Sequence, residues 1–248
     1  MKRVILALLF ALALPAPAFA KSYTNGIDAN YPPFTYVDEK DGQPSGFDVE
    51  SLNWIAKTMG FEIKHIPIAW GAIIPALLAQ KIDMVCSGMG ITQERAKQVT
   101  FSDPYWKSYD VFVTKAESEL TVNAILASKL KLGGQRGTYS AIALVNVRKK
   151  QQLNFELRLY DSALLMIEDV ISGRIDAALT DSLPAQNAIA KGRPIRIAGI
   201  HGDAVFFGVA FRKDDIKLQQ VVNEGYKKLM ADPFWKQLQQ KYSVQPLD

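Results

Sequence analysis

The segments KIDMVCSG at residues 81–88 and GRIDAALTD at residues 173–181 share one plan and decide the fold. In each, a basic residue, an isoleucine and an aspartate lead into a short apolar run that ends at polar residues. Each segment follows a stretch in which apolar residues recur at helical spacing, at 73–80 and at 163–172. A unit of helix, turn and buried strand therefore occurs twice in the chain.

The two repeated units predict an α/β protein with two lobes. Strands that are apolar on both faces and alternate with helices are typical of parallel sheets covered by helices on both sides. Extended segments at about 108–115 and 204–211 are where the chain can cross between lobes. We therefore expect lobe one to comprise residues 21–111 and 208–248, lobe two to comprise residues 112–207, and a hinge to lie at the two crossovers.

The first twenty residues are typical of a signal peptide. Lys2 and Arg3 precede the uncharged apolar run 4–14, and the small-x-small sequence AFA at 18–20 marks a cleavage site. The alternative is a membrane anchor, but a helix of this run spans only about 16 Å, roughly half of the hydrocarbon thickness. We expect cleavage after Ala20 and export of the mature protein to the periplasm.

The composition argues against several kinds of function. After residue 20 the chain carries 27 basic and 25 acidic residues, a balance that argues against nucleic-acid binding. The single cysteine, Cys86, lies in an apolar strand segment, which favours a buried structural residue over a reactive thiol. His65 and His201 have no neighbours at metal-ligand spacing, so we predict neither a metal site nor a cofactor.

Both repeated units end in polar residues at the carboxyl ends of their strands, where ligands bind in open parallel sheets. In lobe one the loop 87–92 contains Gly88 and Gly90, which let the backbone approach a ligand closely. The amides of this loop, with the start of a helix capped by Thr92, predict an anion site. Arg95, one turn into that helix, adds a planar guanidinium suited to a carboxylate.

Lobe two is expected to supply the opposite charge. The helix capped by Thr138 brings the amides near Thr138 and Tyr139 towards the same anion, and Asp181 is placed to accept hydrogen bonds from an ammonium group. These positions predict a small zwitterion held between the lobes. Taken alone, Arg95 could instead be a solvated side chain, and Asp181 a helix cap. The aromatic residues that could line the site or belong to the core are Tyr31, Phe34 and Trp70.

The sequence resembles the polar amino-acid-binding family of periplasmic proteins, family 3 of the ABC transporter solute-binding proteins. The motifs that carry the resemblance are, in chain order, YPPF (31–34), GFDV (46–49), WGAIIPALLAQKID (70–83), SGMGITQER (87–95), FSDPYW (101–106), GT (137–138) and GRIDAALTD (173–181). With these motifs in the expected order, the match extends over nearly all of the chain after residue 20. The resemblance implies a type II periplasmic-binding-protein-like fold with two lobes, two mixed, mostly parallel sheets flanked by helices, and two hinge crossovers.

The resemblance also implies roles for residues at matching motif positions. Arg95 would bind the ligand carboxylate, and Asp181 would accept the α-ammonium group. Asp28 matches a position that often contacts the side chain of polar or basic ligands. The further contacts that the resemblance implies are Ser87 and the Gly90 amide, with Tyr31 and Trp70 as aromatic walls.

One loop departs from the family pattern. Many members carry serines where this chain has Gly88 and Gly90. The lost hydroxyl groups remove hydrogen bonds that contribute about 1.5–3 kcal/mol each to a charged group, while the amides remain. Tyr139 is expected to fill space that smaller residues leave in other members. The ligand is accordingly left open among α-amino acids, opines, ectoine-like compounds and other zwitterions.

We therefore predict an extracytoplasmic solute-binding protein of an ABC importer. It is expected to be a monomer that closes on an amino acid or related small zwitterion and delivers it to the permease membrane subunits. One alternative is a cyclohexadienyl dehydratase-like enzyme with a cleft carboxyl group as general acid. Glu94 and Asp181 are available for that role, but no separate acid and base form a pair, and we do not expect an enzyme. The other alternative is a ligand-sensing module for a chemoreceptor or membrane kinase.

Overall fold

The computed structural model describes residues 21–245, in which strands and helices alternate along the chain. The elements in chain order are β1 Ser22–Ile27, β2 Asn30–Tyr31, β3 Thr35–Val37, β4 Pro44–Ser45, α1 Phe47–Met59, β5 Glu62–Pro67, α2 Trp70–Leu78, β6 Met84–Val85, α3 Gln93–Ala96, β7 Thr100–Phe101, β8 Trp106–Lys115, α4 Val122–Ala127, β9 Lys131–Gln135, α5 Tyr139–Lys150, β10 Glu156–Tyr160, α6 Ala163–Ser172, β11 Ala177–Asp181, α7 Ser182–Ala190, β12 Ile195–Phe207, β13 Ala210–Phe211, α8 Ile216–Ala231 and α9 Pro233–Lys241. The predicted signal peptide, residues 1–20, lies outside the described residues. No helix within residues 21–245 is long and apolar enough to cross a membrane.

Two five-stranded mixed sheets define the two lobes. The first sheet has the order β5-β1-β6-β13-β7 and the second has the order β10-β9-β11-β8-β12. In the first, β1 runs parallel to β5 and β6, and β13 is antiparallel to its neighbours. In the second, β9 runs parallel to β10 and β11, whereas β8 is antiparallel to β11 and β12. We call the parts of the chain built on these sheets lobe one and lobe two.

The chain crosses between the lobes at two short connections. Residues 102–105 link β7 to β8, and residues 208–209 link β12 to β13. Trp106 at the start of β8 pairs with Phe207 at the end of β12, so the two connections lie side by side. The first connection precedes the predicted crossing segment at 108–115, which belongs to β8 and thus to lobe two. The prediction took this extended segment as the crossover itself, so the predicted lobe boundary after residue 111 falls inside β8.

Local sequence signals explain several element ends. Thr92 and Thr138 cap α3 and α5 as predicted, because their hydroxyls accept hydrogen bonds from the first-turn amides. The long C-terminal helix is interrupted at Asp232, whose carboxylate accepts from the Phe234 amide, with Pro233 at the first position of α9. These caps fix where helix N-termini meet the gap between the lobes.

Candidate functional site

A cavity between the lobes lies at the carboxyl ends of β1, β6, β9 and β11, and its empty space, which includes the part open to solvent, is about 410 Å³. Its walls are formed by Asp28, Tyr31, Trp70, Ser87 and Gly88 from lobe one and by Gln135, Thr138, Tyr139, Ser140, Leu179, Thr180 and Asp181 from lobe two. This is the edge where parallel α/β sheets bind ligands. Both lobes therefore contribute to one site.

The cavity brings together most of the residues that the sequence singles out. Eight of the ten predicted contacts line it, whereas Gly90 and Arg95 lie next to its walls. The lining residues that were not predicted as contacts are Gln135, Ser140, Leu179 and Thr180. The position of Gln135 at the end of β9 and that of Thr180 near the end of β11 could have identified these two, because the strand-end rule applies to them as well.

Asp28 joins the two lobes through its carboxylate. Its Oδ2 accepts from Gln135 Nε2 of lobe two at 3.0 Å, and its Oδ1 accepts from the Asn30 amide at 2.9 Å. The Asp28 amide in turn donates to Ser87 Oγ at 3.0 Å. Burial raises the pKa of the Asp28 carboxyl, against the opposing effect of these hydrogen bonds. A buried acidic group thus faces the cavity from lobe one.

Asp181 faces the cavity from lobe two and also caps a helix. Its Oδ1 accepts from the Leu183 amide at 2.9 Å and from Ser108 Oγ at 3.0 Å, so it forms the N-cap of α7. Its Oδ2 accepts from the Tyr139 hydroxyl at 2.7 Å. Burial raises the pKa of Asp181, and these hydrogen bonds oppose that effect. Asp181 therefore has both of the roles that the sequence left as alternatives: it caps α7 and it presents a carboxylate to the cavity.

Arg95 is buried and reaches across the gap between the lobes. Its guanidinium donates to the Gly90 carbonyl at 2.8 Å and to the Gly137 carbonyl of lobe two at 3.3 Å, and it lies 5.2 Å from the Trp70 ring centroid. Trp70 Nε1 donates to the same Gly137 carbonyl at 3.2 Å. With a side chain only 7% exposed, Arg95 is not the solvated residue that the alternative interpretation described. Burial lowers its pKa to about 10, which leaves it cationic at neutral pH.

The loop 87–92, which we call the glycine loop, does not direct all of its backbone amides towards a ligand anion as expected. The Gly88 amide points into lobe one and donates to Asp48 Oδ2 at 2.7 Å. Gly88 has φ +57°, and a Cβ there would lie 2.4 Å from Tyr31 Cε1, so glycine lets the Tyr31 ring pack on the loop. The predicted anion site is therefore wrong for the Gly88 amide, because a buried carboxylate already occupies it.

Two further buried carboxylates lie behind the cavity wall. Asp48 accepts from the Gly88 amide and from the Tyr105 hydroxyl, and burial raises its pKa to about 7. Asp110, in the middle of β8, accepts from Ser140 Oγ at 2.6 Å, and burial likewise raises its pKa to about 7. Sequence reasoning missed Asp110, since a single aspartate within a strand carries no signal for the direction of its side chain.

These raised pKa values predict a dependence of stability on pH. Between about pH 4 and 7, folded Asp48 and Asp110 hold protons that the unfolded chain has released, so stability falls as the pH rises through this window. Burial lowers the folded pKa of His65 to about 4, so the folded imidazole is neutral in this range, whereas the unfolded one releases its remaining proton between pH 6.5 and 7.5 and so opposes part of the fall in stability. From pH 6.5 to 7.5 we expect the free energy of unfolding to fall by about 1 kcal/mol.

Urea unfolding of Asp48→Asn at the two pH values checks this expectation. The variant should lose about half of the decrease, and Asp110→Asn the other half, because each removes one of the two titrating groups. A decrease that is unchanged in both variants would contradict the assignment of the titration to these carboxyls.

Comparison with known proteins places this site in a family. The model of the bacterial extracellular solute-binding proteins, family 3, matches residues 23–245. The L-arginine-binding protein of Pseudomonas aeruginosa is 34% identical over 96% of this chain and 95% of its own length. The structure of an ancestral arginine-binding protein bound to arginine superimposes with a TM-score of 0.83, at 30% identity, over 90% of this chain and 99% of that one. The ancestral amino-acid-binding protein AncCDT-1, a precursor of cyclohexadienyl dehydratase, gives a TM-score of 0.81 at 31% identity, over 89% and 95%.

The fold and the shared cavity define a two-lobed, type II solute-binding protein. The chain belongs to the bacterial extracellular solute-binding proteins, family 3. The predicted family, fold class and function are thereby confirmed: it is an extracytoplasmic solute-binding protein of an ABC importer for an amino acid or related small zwitterion.

Proposed function

We propose that this protein binds an α-amino acid with a cationic side chain. The observation that carries the proposal is the distribution of charge. Asp28 and Asp181 line the cavity, Asp110 bonds to the lining residue Ser140, and Arg95 is the one buried cationic side chain among residues 21–245. Buried carboxylates are costly unless a cation pairs with them. A ligand with two cationic groups and one carboxylate complements this arrangement.

Each pole of such a ligand has a partner. Arg95 takes the carboxylate, because a guanidinium has five N–H donors and the contacts with Gly90 and Gly137 leave donors available. Asp181 accepts hydrogen bonds from the α-ammonium group, and Asp28 pairs with the cation of the side chain. The L-arginine-binding relative and the arginine-bound structure support this choice of ligand class.

Closure of the lobes follows from these contacts. The ligand favours the closed arrangement only through interactions that differ between open and closed states. Arg95 and Asp28 belong to lobe one and Asp181 to lobe two, so a ligand that bridges them makes its full set of contacts when the lobes meet. The Gly137 carbonyl, which accepts from both Trp70 and Arg95, adds a direct link between the lobes.

A comparison of charged and neutral ligands tests the proposal. We expect L-arginine, L-lysine or L-ornithine to bind in isothermal titration calorimetry, and L-citrulline, the neutral analogue of arginine, to bind at least about 30-fold more weakly. Asp28→Asn should narrow the difference between arginine and citrulline, since it removes the charge that favours the cationic side chain. Equal affinity for citrulline and arginine in the wild type would contradict the proposed ligand class.

We also propose how the protein reaches and serves its importer. Cleavage after Ala20 releases a periplasmic monomer, hinged at residues 102–105 and 208–209, that docks on the permease membrane subunits. Mass spectrometry of the secreted protein and light scattering test the first two points. Loss of basic amino-acid uptake on deletion of the gene distinguishes transport from sensing.

We propose that the site binds its ligand without transforming it. Asp181 accepts hydrogen bonds through both oxygens, as an ionised carboxylate does, and Asp110 bonds to Ser140 and does not line the cavity, so the described residues offer no separate acid and base that face the ligand as a pair. Glu94 is exposed, pairs with Lys97 and does not line the cavity. Purified protein should leave prephenate and arogenate unchanged, and turnover of either one would contradict this view.

A further inference from the structure

Tyr139 and Gly90 form a matched pair across the gap between the lobes. Tyr139 is the first residue of α5 in lobe two, and Gly90 belongs to the glycine loop of lobe one. A Cβ at residue 90 would lie 3.0 Å and 3.1 Å from Cε1 and Cδ1 of the Tyr139 ring, and 2.8 Å from Val205 Cγ1. The Tyr139 ring and the Val205 side chain together therefore fill the place that a side chain at residue 90 would need.

The same ring is fixed at its other end by Asp181. The Tyr139 hydroxyl donates to Asp181 Oδ2 at 2.7 Å, while Oδ1 is engaged by Ser108 Oγ and the Leu183 amide. Each carboxylate oxygen has two lone pairs, so Oδ2 can accept a second donor. The Tyr31 hydroxyl of lobe one also lies within reach of Asp181, so a ligand ammonium group that binds there has the Tyr31 and Tyr139 side chains beside it.

We infer that Tyr139 is a specificity-determining residue that restricts the site at Asp181 to a primary ammonium group. The inference rests on the proposed role of Asp181 as acceptor for the ligand ammonium. A substituent on the ligand nitrogen would have to displace a ring that is held by Gly90 on one side and by its hydrogen bond to Asp181 on the other. Close-packed interiors absorb such a displacement poorly. Opines and N-alkylated amino acids are therefore excluded, because the Tyr139 ring occupies the space that the absence of a side chain at Gly90 would otherwise leave.

Calorimetry with L-arginine and Nα-methyl-L-arginine tests the inference. The wild type should bind the methylated ligand at least about 10-fold more weakly, a ratio equal to 1.4 kcal/mol. Tyr139→Ala should bring the two affinities within about 3-fold of each other, because the wall is gone. Tyr139→Phe keeps the ring but lacks the hydroxyl, so it should keep the discrimination. Full discrimination in Tyr139→Ala, or none in the wild type, would overturn the inference.

A thermal-unfolding cycle decides the packing step independently of any ligand. Gly90→Ser should lower the Tm by several degrees, because the added atoms meet the Tyr139 ring. In the Tyr139→Ala background the same substitution should have a smaller effect, and what is left of the effect comes from the contact with Val205 Cγ1. Additive shifts would show that the ring does not fill this space and would overturn the inference. Failure of the wild type to bind any basic amino acid would instead refute the proposed function. The thermal-unfolding cycle would still show whether the Tyr139 ring occupies the space beside Gly90.

Discussion

Arg95→Ala is expected to weaken binding of the basic amino acid by at least about 2 kcal/mol, a rise in Kd of about 30-fold. The guanidinium is the buried cation beside a cavity lined by carboxylates, so its removal leaves the ligand carboxylate without a partner. It also removes the contacts with the Gly90 and Gly137 carbonyls that join the lobes. Isothermal titration calorimetry measures the loss directly.

Two matched variants show whether the loss comes from the planar guanidinium. Arg136→Ala removes a nearby arginine whose side chain is 58% exposed and pairs with Asp161, so it should change the affinity by less than about 1 kcal/mol. Arg95→Lys keeps a positive charge but not the forked donors, and it should recover part of the loss. Near-wild-type affinity of Arg95→Ala would show that the carboxylate binds elsewhere.

Asp181→Asn is expected to weaken binding by a similar amount, again at least about 2 kcal/mol. Asparagine keeps an oxygen that can accept from the Leu183 amide and Ser108, so α7 retains its cap while the negative charge is lost. The ligand ammonium is then buried against a neutral group. Calorimetry should show the loss in affinity, and the Tm should change little.

The matched control for this variant is Asp161→Asn. The Asp161 side chain is 83% exposed and pairs with Arg136 outside the cavity lining, so its neutralisation should leave the affinity nearly unchanged. If Asp181→Asn bound arginine as tightly as this control, Asp181 would serve only as the cap of α7.

Much of the fold and part of the site could be predicted because both depend on local rules. The two repeated units place Ser87 and Asp181 at the carboxyl ends of β6 and β11, and the topology of parallel sheets brings such ends to one edge. Helix caps at Thr92 and Thr138 were likewise readable from residue type and position. Rules of this kind need no knowledge of how the two lobes meet.

What remained hidden depends on side-chain direction and on the meeting of the lobes. The hydrogen bond from Gln135 to Asp28 joins residues 107 positions apart in different lobes, which no local pattern encodes. The Gly88 amide donates to Asp48, a residue 40 positions away, and the local sequence gives no sign of this hydrogen bond. The segment at 108–115 was predicted to be extended, but its pairing with β11 and β12, which places the start of lobe two at Trp106, depends on residues far away in the sequence.

Analogues of arginine that lack either the carboxylate or the α-ammonium group give the most direct test of the claim that Arg95 binds the former and Asp181 the latter. Agmatine lacks the carboxylate, and 5-guanidinopentanoic acid lacks the α-ammonium group. In calorimetric cycles, Arg95→Ala should weaken the binding of arginine much more than that of agmatine, which would show only the lost contacts between the lobes. Asp181→Asn should likewise weaken the binding of arginine much more than that of 5-guanidinopentanoic acid. If either substitution weakened its truncated ligand as much as it weakens arginine, that side chain would not hold the pole that we propose.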